Sequence, residues 1–213
     1  MNKNEKPRVW ISGAILAVLA AICTALVAIT HSTTAPRIAA NAQAYLEKSL
    51  QPVLEGLEYD GKLSESTLLI EPPHELPGTG PVTVYRVYAD SAPVAALFVV
   101  TAKDGFTGPI KLLIGIDASG AISGVRVLEH RETPGLGDLI ESAKSDWIEQ
   151  FRKRSLADPD REVWAIKRDG GVYDQLTGAS ITPRSVIKAI KETLLYFEAN
   201  QEQVFADAGD KES

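Results

Sequence analysis

The chain has 213 residues, 22 basic and 28 acidic side chains, a formal net charge of -6 and 45% hydrophobic content. That much apolar material excludes wholesale disorder, and the negative balance excludes a general nucleic-acid binder, which needs a basic face to replace counterions. A single cysteine, Cys23, leaves no internal disulfide, cysteine-rich metal site or iron–sulfur ligand set to build.

No charge interrupts the stretch from Val9 to Thr30. It is long enough for the roughly 20 apolar residues that a helix needs to cross a bilayer. Lys3, Lys6 and Arg8 precede it against Glu5 alone. The positive-inside bias then keeps residues 1–8 cytoplasmic and sends everything after His31 to the other side, the periplasm in a bacterium. A cleaved signal peptide has a shorter apolar region, roughly 7–15 residues. Ala40-Asn41-Ala42 has the spacing of a cleavage site but lies well past the run, and Ile22 before Cys23 does not suit a lipoprotein. The expectation is an uncleaved single-pass inner-membrane anchor over 9–30, with Cys23 a small apolar side chain within it.

Residues 31–81 read as a linker helix and a connector. Pro36 suits a first helical turn, and Ile38, Ala42, Leu46 and Leu50 recur four apart up to about Leu50. Pro72, Pro73, Pro77, Gly78 and Gly80 mark the connector, with a short strand at Thr67–Ile70 and His74 solvated among the prolines. Strands are expected at Val82–Tyr88, Val94–Thr101, Ile110–Ile116 and Ile122–Leu128, the last two joined by the turn Asp117-Ala118-Ser119-Gly120. A helix over Asp138–Lys153, capped by Asp138, would bury Leu139, Trp147, Ile148 and Phe151 and leave Arg152-Lys153-Arg154 as a solvated end. Val163–Lys167 reads as a short strand. A helix from Pro183 to about Ala199 would bury Val186, Ile187, Ile190, Leu194 and Phe197, and 201–213 form a polar, frayed tail. Strands grouped between helices imply an α+β fold: one membrane helix, then one mainly antiparallel domain over 82–200.

Asp174-Gln175-Leu176-Thr177-Gly178-Ala179-Ser180, followed by Ile181-Thr182-Pro183, places a hydroxyl on a glycine-relieved turn before a helix start. Such a start offers unpaired N–H groups and the positive dipole end to a phosphate. Thr182, preceding a proline, reads as the N-cap and leaves Ser180 as the free hydroxyl. The same residues also fit a plain capped turn, with Gly178 supplying a positive φ.

This stretch resembles the signature of proteins that carry flavin mononucleotide (FMN) esterified through its phosphate to the last hydroxyl. With the anchor, Gly105-Phe106-Thr107-Gly108-Pro109-Ile110 and Glu132-Thr133-Pro134-Gly135-Leu136-Gly137-Asp138, the soluble part resembles the FMN-binding family. That family includes the G subunit of the Rnf electron-transport complex and the C subunit of the sodium-pumping NADH:quinone reductase. The Rnf subunits usually have Thr where this chain has Ser180; both offer one oxygen on Cβ.

The resemblance implies a membrane-anchored electron carrier with covalent FMN on Ser180, near Thr177, Gly178, Ala179 and Thr182. A second loop, Glu132, Thr133, Gly135, Leu136 and Gly137, would approach the ring: its glycines let backbone come close, Leu136 covers a face, and nearby contacts tune the flavin. Glu132 is expected to bond loop backbone, His130 to be satisfied at a strand end, and Trp147 and Trp164 to be core. Partners would be other membrane subunits and a flavin transferase. Three alternatives stand beside this one: an unflavinylated scaffold, a subunit of a related quinone reductase, and a flavin-dependent periplasmic reductase. No triad or metal cluster supports independent catalysis.

Overall fold

The computed structural model describes residues 6–59, 66–90 and 92–206. The chain divides into two units, Met1–Leu46 and Glu47–Ser213. Residues 1–5 and the final residues, 207–213, lie outside the described residues, as does part of the expected connector, 60–65.

The first unit belongs to helix α1, Lys6–Val53, which is long and apolar enough to cross a membrane. Ile11, Leu16, Leu26 and Val27 are exposed along it, as is Cys23. Two helices were expected here, and there is one. Thr30 to Thr34 look like a cap-rich break, yet Thr30 Oγ1 donates to Leu26 O, Ser32 Oγ to Ile29 O, and Thr33 Oγ1 to Ile29 O and Thr30 O. Hydroxyls that bond back along the helix no longer compete with it. Pro36 then removes a single backbone donor from a long run.

The second unit is built on a five-stranded antiparallel meander in the order β1-β2-β3-β4-β5. Its strands are β1 Thr67–Ile70, β2 Val82–Ala89, β3 Ala92–Ala102, β4 Ile110–Asp117 and β5 Ile122–Glu129. The β4–β5 hairpin turns where expected: Asp117 Oδ1 accepts from the Ser119 and Ala121 N–H groups, and Gly120 takes φ +87. Helix α2, Ile181–Phe205, lays the anticipated stripe, Val186, Ile187, Ile190, Leu194 and Phe197, into the main core beside Phe98, Leu112 and Ile114. Leu97 and Leu113 point the other way in the strand alternation and are buried too. On that side the end of α1 seats Val53: a Cβ on Gly115 would lie 2.3 Å from Val53 Cγ1, and one on Gly124 would lie 3.0 Å from Val53 Cα.

Four expectations are corrected. Asp138–Lys153 is not one helix but two 3-10 segments, Gly137–Ile140 and Asp146–Phe151. Asp138 caps neither; it binds Lys144 at 2.9 Å, and Ser145 caps the second segment by accepting from Trp147 N. The three-residue repeat puts Ile148 and Phe151 on one side, and Phe151 closes an aromatic cluster with Trp147 at 5.3 Å and Tyr173 at 4.7 Å. Val163–Lys167 forms no strand: Trp164 and Ile166 are held in that core by 3-10 turns on either side and one bridge to Tyr173. The end of α2 is docked instead of frayed, with Val204 buried, Tyr88 Oη donating to Phe205 O, and Arg86 Nη1 donating to Ala206 O. Neither Arg152 nor His74 is merely solvated. Arg152 Nη2 donates to Pro52 O and pairs with Glu149 and Glu55, while His74 Nε2 bonds Gly80 O.

Candidate functional site

The signature turns as its glycine requires. Gly178 has φ +80, Ala179 N donates to Leu176 O at 3.1 Å, and the chain then enters α2 at Ile181. Ser180 occupies the N-cap position, but its side chain makes no capping hydrogen bond. Thr182 is therefore not the cap. It is fully buried, and its hydroxyl donates to Glu132 Oε2 at 2.5 Å. Thr182 does not cap because its hydroxyl is committed as a donor to a buried carboxylate, a charge-assisted bond stronger than the one its oxygen would accept from a backbone N–H.

Glu132 is 5% exposed and joins three segments. Oε1 accepts from Thr107 N at 3.0 Å, Oε2 takes the Thr182 hydroxyl, and its own N–H donates to His130 Nδ1 at 3.0 Å. That last bond leaves the neutral imidazole proton on Nε2, which donates to Glu141 Oε1 at 2.7 Å. Lys144 reaches both Glu141 at 2.6 Å and Asp138 at 2.9 Å, so the Glu132–Asp138 loop is held at both ends. The Lys144 hydrogen bond holds the Asp138 carboxyl below its ordinary value. For Glu141, burial pushes upward, but hydrogen bonds from Lys144 and His130 outweigh it and leave the carboxyl lowered. Lys144 is raised in turn by Glu141 and Asp138.

These segments enclose a cleft of about 120 Å³ whose lining includes Glu132, Thr133, Leu136, Gly137, Gly178, Ala179, Ser180 and Thr182. Two anticipated site residues stand off it. Thr177 lines a second cleft, on the other side of Ser180, together with Arg168 and Gln175. Gly135 supplies a left-handed turn, φ +76, and a Cβ there would meet nothing. A Cβ on Gly137 would lie 2.7 Å from Glu132 Oε2. That space is taken by the carboxylate.

Sequence reasoning missed Phe106 and Ile181, which complete the apolar rim with Leu136 at 67%, 44% and 42% exposure. An aromatic between Gly105 and Gly108 was the available signal for the first. Trp147 and Trp164 are core residues, as expected, and lie off this cleft.

Residues 105–195 match the FMN-binding domain family, and residues 1–53 match the RnfG N-terminal region. The G subunit of the ion-translocating oxidoreductase complex of Escherichia coli strain K12 is 44% identical over 184 residues, 86% of this chain and 88% of that protein. The chain belongs to the RnfG family. Its Pseudoalteromonas atlantica relative of the same name is 38% identical over 195 residues, 92% of this chain and 91% of its own length. A third RnfG relative, the G subunit from Shewanella baltica, is 40% identical over 195 residues, 92% of both chains. The cleft suits the FMN of such a domain on its own chemistry: exposed apolar side chains for a flat ring, and a hydroxyl without a capping bond at a helix start for a phosphate.

Proposed function

We propose that the chain is a membrane-anchored electron carrier that bears FMN esterified to Ser180. It would serve as a subunit of an ion-translocating ferredoxin:NAD oxidoreductase complex of the Rnf type. One observation carries the attachment: of the two hydroxyls at the start of α2, Thr182 is committed to Glu132 and Ser180 is not tied up as a cap. Ser180 gives up its hydroxyl proton to solvent and gains an O–P bond, while a phosphoanhydride bond in the flavin donor breaks and releases the donor's other half. A flavin transferase acting after export would bring the two together. Bound FMN supplies the redox chemistry; the chain supplies position.

Leu136 and Phe106 would flank the ring, and Glu132 locks the loops that carry them through Thr107 and Thr182. A cleft of about 120 Å³ is well below the roughly 300–1,000 Å³ of sites that engulf a ligand. The ring would stay partly open to neighbouring membrane subunits, which suits a relay better than an enzyme with its own substrate. α1 anchors the chain in the inner membrane with residues 1–8 cytoplasmic and the FMN-binding domain periplasmic.

Denatured full-length chain, co-expressed with a flavin transferase, should fluoresce on a gel, and Ser180→Ala should be dark. Thr182→Ala should keep its label. A dark wild-type band would favour the unflavinylated scaffold, and a label lost only in Thr182→Ala would move the attachment.

A further inference from the structure

Ser180, Ala179 and Gly178 line two clefts at once. One is the apolar-rimmed cleft of Phe106 and Leu136. The other, about 310 Å³, is lined further by Arg168, Gln175, Leu176 and Thr177, and Arg168 is the one charged residue on it. A phosphodiester on Ser180 keeps one negative charge at neutral pH. Its charge would therefore stand at the boundary between an apolar surface and a polar one holding a cation.

The short turn Lys167–Asp169 is fixed on both sides of Arg168. Lys167 pairs with Asp174 of the signature at 2.5 Å, and Asp169 takes Arg184 of α2 through two bonds of 2.6 and 2.8 Å. Both pairs are exposed and individually weak, yet they connect this turn to the two segments that flank Ser180. They also occupy Lys167, Asp169, Asp174 and Arg184 with one another. Among the described residues Arg168 forms no ion pair, so its guanidinium is available to an added anion. A guanidinium matches phosphate oxygens with paired N–H donors, and such charge-assisted bonds are stronger than neutral ones.

We propose that Arg168 is the phosphate-binding residue of the flavin site, holding the phosphoryl group while the Ser180 ester forms and neutralising it afterwards. This rests on the reading of Ser180 as the attachment point. The test uses purified full-length chain in detergent, a flavin transferase and its flavin donor, with initial labelling rates read from fluorescence of denatured bands. Arg168→Gln should label about tenfold more slowly. Arg168→Lys, which keeps the charge but loses the paired donors, should label at a rate between wild type and the Gln variant, and rising salt should slow wild type towards the Gln variant. Arg161→Gln, which removes an exposed arginine paired with Glu198, should label like wild type.

The proposal is overturned if Arg168→Gln labels as fast as wild type while Ser180→Ala stays dark, or if Arg168→Lys is as slow as Arg168→Gln. A wild-type chain that takes no label removes the Ser180 reading, and this inference with it. Thermal unfolding of each variant identifies any slow labelling that comes from misfolding, and a destabilised Arg168→Gln whose labelling is not improved in Arg168→Lys counts against a role for the charge.

Discussion

Glu132 shows how one side chain sets a site. A carboxylate buried beside Gly137 accepts the Thr107 N–H and the Thr182 hydroxyl, and so ties two loops to the first turn of α2. Glu132→Ala would leave a donor on each side unpaired, which costs about 1–3 kcal/mol for each buried group. Glu132→Gln retains a side chain that can meet both partners once the Thr182 hydroxyl rotates. Thermal unfolding should rank wild type above Gln and Gln well above Ala; equal losses for both variants would mean that the bonds are unimportant. Ser180→Ala should change stability by no more than about 0.5 kcal/mol, as for a partly exposed position outside any bonded network. Gly137→Val should unfold the loop because its side chain would strike Glu132, where a reading from sequence placed it against a flavin ring.

At the scale of elements, the Lys144 hub fixes the loop's behaviour with pH. Asp138 and Glu141 are lowered when folded, so their contribution is complete above their ordinary values of 3.8 and 4.5 and disappears as pH falls through the folded ones. Lys144 is raised, so its contribution holds below 10.5 and disappears as pH climbs through its higher folded value. Stability of Lys144→Met relative to wild type should therefore be lowest between these limits and converge with it in acid. A gap that persists unchanged once both carboxyls are protonated in acid would contradict this.

The Gly115–Gly124 pair of β4 and β5 is the second element-scale feature, since it admits Val53. Gly115→Ala places a methyl 2.3 Å from both Ser123 Oγ and Val53 Cγ1, and overpacking of this kind costs about 1–3 kcal/mol. An unfolding midpoint unchanged from wild type would show that the end of α1 adjusts freely.

The strands and the α2 stripe were legible in the sequence because period-two and period-3.6 patterns record burial directly. The region 138–169 was not. Its apolar residues satisfy a helical spacing, but they converge on an aromatic cluster through 3-10 turns whose partners, Tyr173 and Asp174, lie far along the chain. Ser180 could be singled out from its turn and the helix after it. Thr182 misled because a proline neighbour suggests a cap, while its true acceptor is fifty residues away.

For the whole molecule, the account requires the domain that carries Ser180 to stand on the far side of the membrane from residues 1–8. A reporter enzyme active only in the periplasm, fused after Ala206, should be active; silence of that fusion beside an active cytoplasmic reporter would reverse the orientation. An exported flavoprotein gains from a covalent tether, since a dissociated cofactor would be lost from a compartment poor in flavin. The most direct measurement is the mass of the peptide spanning 170–184 from full-length chain produced with a flavin transferase. The account predicts the added mass of one esterified FMN, fragmenting to Ser180. An unmodified peptide, or an FMN mass assigned to Thr177 or Thr182, would contradict it.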